Sequence, residues 1–187
     1  MAESRKYDVV VIGAGSTGEN VADRAVKGGL SAAIVEVELV GGECSYWACM
    51  PSKALLRPMS ALRAAQRVGG AREAVTGDLD VDAVLARRDQ FTSNWDDSSQ
   101  VRWVEHAHID LVRGQGKLAG ERRVVVLTRE GPVTLVADHA VVVATGSAPS
   151  MPPVPGLAEA KPWTTREATS ANEVPPRLAV LGGGVAG

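Results

Sequence analysis

The residues best suited to chemistry lie in one short stretch, GGECSYWACMPSK over residues 41–53, which holds both cysteines of the chain. Cys44 and Cys49 form a C-x4-C pair. A zinc centre wants further ligands and C-x2-C spacing. The three histidines do not supply them: His106 and His108 are two apart, and His139 opens an apolar run. A disulfide this local closes too small a loop to stabilise much by chain entropy. Redox chemistry fits better. A cysteine near a helix N-terminus has its thiolate favoured by the helix dipole, and Pro51 suits a first helical turn. One thiol can attack a partner while the other resolves the mixed disulfide or donates electron density to a flavin. Lys53, a turn beyond Cys49, adds positive charge beside the thiolate or the flavin; its plainer reading is an ordinary surface lysine.

A second constellation precedes it. Gly13-Ala14-Gly15-Ser16-Thr17-Gly18 matches G-x-G-x-x-G. In that motif the first glycine allows the turn out of a strand, the second lets the backbone approach a pyrophosphate, and the third lets helix and strand pack closely. The following helix N-terminus turns unpaired N–H groups and positive dipole toward the phosphates. Glu36 follows the apolar AAIV about 20 residues on, the place of the acid that holds ribose hydroxyls. Glu38 is a nearby competitor. An acid there suits a free 2′-OH, as in FAD or NAD, better than a 2′-phosphate.

These groups need elements to hold them. YDVVVI (7–12) reads as a buried parallel strand. ENVADRAVKGGL reads as a helix stopped by Gly28 and Gly29, and SAAIVEVE as the next strand, so the opening is a βαβ unit. From Pro51 the pattern turns helical, with Pro58 expected to kink or divide it. Val81 to about Glu105 reads as helix, with Val84, Leu85, Phe91 and Trp95 inward and DDSSQ as an interruption. IDLVRGQGKL, RRVVVLT and VTLVAD read as short strands, and HAVVVATGS as a further buried strand ending in a glycine turn. APSMPPVPG, with four prolines, reads as a linker. LAVLGGGVAG then opens a new strand and glycine turn, echoing the first about 170 residues later.

Composition excludes several classes. Of 187 residues, 45% are hydrophobic and 22% charged, with a net charge of −2; a folded globular chain is expected, and neither nucleic acid nor an anionic membrane is indicated. No signal peptide or membrane span is read in the sequence. A cytoplasmic chain is expected, where close cysteines are redox or metal groups more often than staples.

Gly13–Gly18, Glu36, GGECSYWACMPSKALL, VVVATGSAP and LGGGVAG together resemble the FAD-dependent pyridine nucleotide–disulfide oxidoreductases of class I. Dihydrolipoamide dehydrogenase, whose wording is nearest, glutathione reductase and mercuric reductase belong to that family. The resemblance implies an α/β fold: a Rossmann-like, three-layer FAD-binding domain with a small β-meander over residues 1–149, then a linker and the start of an NAD(P)-binding domain over 150–187. It places Gly13, Gly15, Ser16, Thr17 and Gly18 at the FAD pyrophosphate and Glu36 at the adenosine ribose. Gly41, Gly42 and Cys44 line the ribityl and flavin region, Gly116 passes the adenine, and Ala144, Thr145, Gly146 and Ser147 form a second FAD-contacting turn. Gly182, Gly184 and Gly187 open the fold that binds NAD(P)H. Cys44 becomes the interchange thiol, Cys49 the charge-transfer thiol, and Lys53 lies near the flavin's reactive edge.

The implied activity passes electrons between NAD(P)H, FAD and a Cys44–Cys49 disulfide, with a small or protein-bound disulfide as substrate. Alternatives are an FAD-binding module without turnover, or a relative that reduces a metal ion or quinone. Two departures stand out. Ser45, Tyr46, Trp47 and Ala48 replace the usual small residues between the cysteines, and Glu43 stands where threonine is common. The family's dimerisation domain, with its His-Glu acid–base pair, has no counterpart here. The chain is therefore expected to be part of a longer, homodimeric protein.

Overall fold

A computed structural model describes residues 3–184. Its elements in chain order are β1 (Glu3–Ile12), α1 (Ser16–Lys27), β2 (Ala32–Glu36), α2 (Gly42–Tyr46), α3 (Cys49–Gln66), α4 (Val81–Phe91), α5 (Ser98–His106), β3 (Asp110–Arg113), β4 (Gln115–Leu118), β5 (Arg123–Thr128), β6 (Gly131–Val143) and α6 (Thr165–Ser170). By compactness the chain forms two discontinuous units, residues 1–44 with 95–147 and residues 45–94 with 148–187.

In the first unit the six strands form one sheet in the order β3-β2-β1-β6-β5-β4. β1 pairs in parallel with β2 and β6, and β2 in parallel with β3; β4, β5 and β6 form an antiparallel meander. Alternation along the parallel strands divides the core between two faces. Val9, Val11, Ala32 and Ile34 meet the helical side, with Ala22 of α1 and Val104 of α5. Val10, Ile12, Ala33 and Val35 meet Val124 and Val126 of the meander. Each fully buried valine contributes about 1.5–3 kcal/mol. Tyr7 closes the meander side, its hydroxyl donating to Asp110 at 2.7 Å.

Several elements differ from the sequence reading. β1 begins four residues before the apolar run because Glu3–Tyr7 pair with residues 133–137 of β6 (a polar stretch becomes strand when a neighbour offers a ladder). VTLVAD and HAVVVA are one 13-residue strand, β6. Asp138 and His139, which read as a break, sit where the register against Tyr7 and Val9 shifts, a bulge that bends the strand without ending it. The C-terminal part of β6 is less covered than expected, and Val143 is exposed.

In the second unit α3 runs through Pro58 as a single helix. The helical region after Val81 breaks at Ser93, Asn94 and Trp95, all with positive φ, just before DDSSQ. Val84, Leu85 and Trp95 are half-buried, but Phe91 is 39% exposed; Arg88 of α4 (1%) and the C-cap residue Thr92 are buried instead. Residues 178–181 form no strand, and Leu178, Val180 and Leu181 are exposed. A strand exists through its ladder, and no strand among the described residues pairs with this segment.

Candidate functional site

In the first unit, three glycine turns converge at the C-terminal ends of β1, β2 and β6. Gly13 leaves β1 with φ +106, and a Cβ there would lie 2.3 Å from the Ala144 carbonyl oxygen. Ala144 N–H donates to Ile12 O at 2.8 Å, so the turn Ala144–Ser147 lies against the first glycine turn. Thr145, Gly146 and Ser147 are exposed. Gly41 N–H donates to Ala14 O at 2.8 Å, and a Cβ on Gly42 (φ +60) would stand 2.8 Å from Gly15 Cα. Gly18 packs helix on strand: its missing Cβ would fall 1.9 Å from Gly13 O and 3.2 Å from Val11 Cγ1.

Gly15 is different. Its φ of −81 suits any residue, and a Cβ there would meet nothing nearer than Gly42 Cα at 4.0 Å. It is the N-cap of α1 and no side chain caps the helix; Ser16 and Thr17 are exposed. A 12-residue helix therefore presents an uncapped N-terminus into open space at the one glycine of the G-x-G-x-x-G motif whose Cβ has room. Backbone N–H groups so placed suit a phosphate.

Glu36 ends β2 beside this turn. Its Oε2 accepts from Ala14 N–H at 2.7 Å and its Oε1 from Glu38 N–H at 2.8 Å. An ionised carboxylate has about four lone-pair sites, so the group that braces the turn keeps acceptor capacity for ribose hydroxyls. Glu38, the competitor, contributes its backbone to this bracing. Gly116 lies on β4 with its missing Cβ directed at Ile12 Cγ2 (3.0 Å) and Val35 Cγ1 (3.2 Å), so its bareness serves close packing of the meander on the sheet. These contacts test the pocket for a dinucleotide: cradle, open amides and spare carboxylate acceptors fit one.

Three residues here were not singled out in the sequence. Asp97 Oδ2 accepts from the buried Val40 N–H at 2.8 Å and also pairs with Arg113 Nη2, while Arg113 Nη1 donates to Glu38 O at 2.6 Å. This clamp holds the loop 37–41 that leads into Gly41, Gly42 and Cys44. Only its DDSSQ neighbourhood was visible in the sequence. Glu19, in the first turn of α1, has a buried Oε1 without a hydrogen bond. Burial raises its pKa above the ordinary glutamate value, and the charge of Glu36 raises it further.

Cys44 lies in α2 and is half-buried; Cys49, also half-buried, is the first residue of α3, after an N-cap Ala48 that offers no side-chain cap. Both are thiols in the structure. Lys53 follows one turn later on an exposed face of α3. Between the cysteines, Tyr46 is buried, and its ring meets that of Trp47 edge to face at 5.8 Å. Gly182 and Gly184 are exposed in the second unit, and Gly187 lies outside the described residues. Among the described residues no group of His, Cys, Asp and Glu is placed to hold a metal ion, and no helix is long and apolar enough to cross a membrane.

Residues 7–187 match the pyridine nucleotide-disulphide oxidoreductase family. The chain belongs to this family. Its members are FAD-dependent and use NAD(P)H. The chain is 36% identical over 186 residues to dihydrolipoyl dehydrogenase 3 of Pseudomonas aeruginosa, covering 97% of this chain and 39% of that protein. It is 29% identical over 195 residues to a mercuric reductase of Acidithiobacillus ferrooxidans, covering 98% and 34%. A solved structure, the Cu(II) complex of the HOCl-induced flavoprotein disulfide reductase RclA from Escherichia coli, superposes with a TM-score of 0.67 at 22% identity, over 82% of this chain and 32% of that one. At that identity the likeness concerns the fold, a mixed α/β arrangement matching the Rossmann-like FAD-binding domain of such reductases. The chain spans about a third to two fifths of the length of these curated relatives.

Proposed function

We propose that this chain is the FAD-binding and dithiol part of an NAD(P)H-dependent disulfide oxidoreductase of the dihydrolipoyl dehydrogenase type. The observation that carries the reading is the convergence of three glycine turns on the uncapped N-terminus of α1, with Glu36 bonded to Ala14. Gly13 and Gly18 shape the turn; Gly15, Ser16 and Thr17 would hold the pyrophosphate by backbone N–H groups. Glu36 would hold the adenosine ribose, while Gly41, Gly42 and Ala144–Ser147 border the rest of the dinucleotide and Gly116 passes the adenine end. When bound, FAD supplies two-electron chemistry between a nicotinamide and a dithiol. In the chain's own chemistry, Cys44 attacks an external disulfide as thiolate and forms a mixed disulfide. Cys49 then displaces it, leaving a Cys44–Cys49 disulfide and two product thiols. Cys49 would be the thiol on the flavin side, with Lys53 near it. Gly182, Gly184 and Gly187 would begin the nicotinamide-binding domain beyond the linker.

The family resemblance supports a homodimeric full-length protein, with the acid–base pair in the family's dimerisation domain. A cytoplasmic setting suits a pair that cycles between dithiol and disulfide. The second reading, a metal ion as electron acceptor, is supported by the likeness to mercuric reductases.

A visible spectrum of the purified chain, before and after dithionite or NADH, tests the proposal. Bound flavin with a long-wavelength band on two-electron reduction is expected, and Cys49→Ser should remove that band while flavin stays bound. Colourless protein that takes up no added FAD sinks the cofactor reading. A band that survives Cys49→Ser sinks the assignment of the thiols.

A further inference from the structure

Tyr46 and Trp47 are the residues of the cysteine stretch that the redox reading does not use. Both lie in the second unit, as do α4 and α6.

Helix α6 has only six residues, too few to persist alone. It begins with a capping box: Thr164 Oγ1 accepts from Arg166 N–H at 3.2 Å, and the Glu167 carboxylate accepts from Thr164 N–H at 2.7 Å. Its C-terminal end is tied to α4. The buried Arg88 donates from Nη1 to Thr169 O and Ala171 O, both at 2.8 Å, and from Nε to Asp89 at 2.6 Å. Thus anchored, α6 reaches the loop between the cysteines. The Arg166 guanidinium lies 4.0 Å over the Trp47 ring. The Thr169 hydroxyl stands 2.9 Å from Trp47 O and 2.8 Å from Thr165 O, sharing its one proton between them. Trp47 is thereby held by both its ring and its backbone carbonyl, and Tyr46 packs against that ring.

We propose that α6 is a strap that orders the Cys44–Cys49 loop, with Arg166 and Thr169 as positioning residues for formation of the disulfide; this rests on the redox reading of the pair. A small residue at position 47 would offer no ring to a guanidinium, so the strap depends on Trp47. The physical effect is entropic. Disulfide geometry tolerates a narrow range of Cα separations, and a loose Trp47–Ala48 link between α2 and α3 must lose backbone freedom at the moment of closure. A loop already held by α6 has lost that freedom beforehand, so closure is favoured. The reaction is balanced by an external disulfide: the two cysteine thiols give up two protons and two electrons to form one S–S bond, and glutathione disulfide is reduced to two glutathione thiols.

The test equilibrates the full 187-residue chain in glutathione redox buffers, tags the remaining thiols by mass, and reads the closure constant beside the unfolding midpoint. Thr169→Val, close to isosteric, and Arg166→Gln should each lower the constant, and the double variant should lower it five- to tenfold, about 20–30 mV. Arg166→Lys, which keeps the cation without the planar stack, should fall between. The overturning result is a wild-type chain that closes and a double variant whose constant stays within twofold of it. If the double variant does not fold, an unchanged constant in Thr169→Val overturns the strap in its place. A wild-type chain that forms no internal disulfide overturns the redox reading, and the strap with it.

Discussion

Gly15→Ala separates a nucleotide cradle from a merely tight turn. Three glycines of the motif look alike in sequence, but a methyl group meets different fates at each. At Gly13 it would lie 2.3 Å from Ala144 O and at Gly18 1.9 Å from Gly13 O, both backbone atoms that cannot swing away. At Gly15 the nearest atom is 4.0 Å distant and φ is −81. Alanine there reduces the freedom of the unfolded chain, a gain of about 0.4–1 kcal/mol. It is also a poorer N-cap than glycine, which removes an amount of the same order. The two nearly cancel, so the apo chain should keep its stability within about 1 kcal/mol, or roughly 2–4 °C in Tm for a domain of this size. A pyrophosphate lying over Gly15 would meet the new methyl directly. Overpacking typically costs about 1–3 kcal/mol, which weakens FAD binding roughly 5- to 150-fold. Differential scanning fluorimetry of the apo chain and a flavin-fluorescence titration measure the two numbers. An unchanged Tm together with FAD affinity within twofold of wild type would refute the reasoning, because no phosphate could then lie over that carbon.

Further outcomes follow from single groups. Burial, and then the hydrogen bond to Asp110, pushes Tyr7 up to about 12; the folded state thus holds its proton between the ordinary tyrosine value and about 12, and the stability this brings is lost as pH rises through that interval. Phenolate absorbance should show a tyrosine step near 12 that Tyr7→Phe diminishes. Asp97→Ala strips the acceptor from the buried Val40 N–H and should cost about 1–3 kcal/mol in chemical denaturation; a loss below about 0.5 kcal/mol would mean the clamp on loop 37–41 is slack. Glu19, with its pKa raised, binds its proton more tightly folded than unfolded, so its charge works against the fold once pH exceeds the ordinary glutamate value. Glu19→Gln should raise Tm at pH 7 more than at pH 4; an equal change at both pH values would contradict this.

How far the sequence reached can be judged at particular residues. The βαβ opening was legible because valine runs, glycine stops and an acid after AAIV are local signals. The start of α3 was legible because Cys49 and Pro51 sit where a helix begins. By contrast, the Asp97–Arg113 clamp joins residues distant in sequence from loop 37–41, and no periodicity announces such a pair. No pattern in the sequence marks Arg88 for burial, whereas Phe91 is expected inward. The fold buries the arginine because the α6 carbonyls accept its guanidinium, and it leaves the phenylalanine partly exposed.

The sequence alone therefore determined the local features, because each is written in neighbouring residues. It determined the glycine turn, the acid at the end of the second strand and the two cysteines at the start of a helix. Tertiary structure decided what each of these touches. It made Gly15 the glycine with room above it, turned Gly116 toward Ile12 and Val35, and merged two expected strands into β6 around Asp138 and His139. It also gave Trp47 a partner in Arg166, more than a hundred residues away (a contact of that range depends on how the chain folds back, which no local pattern encodes).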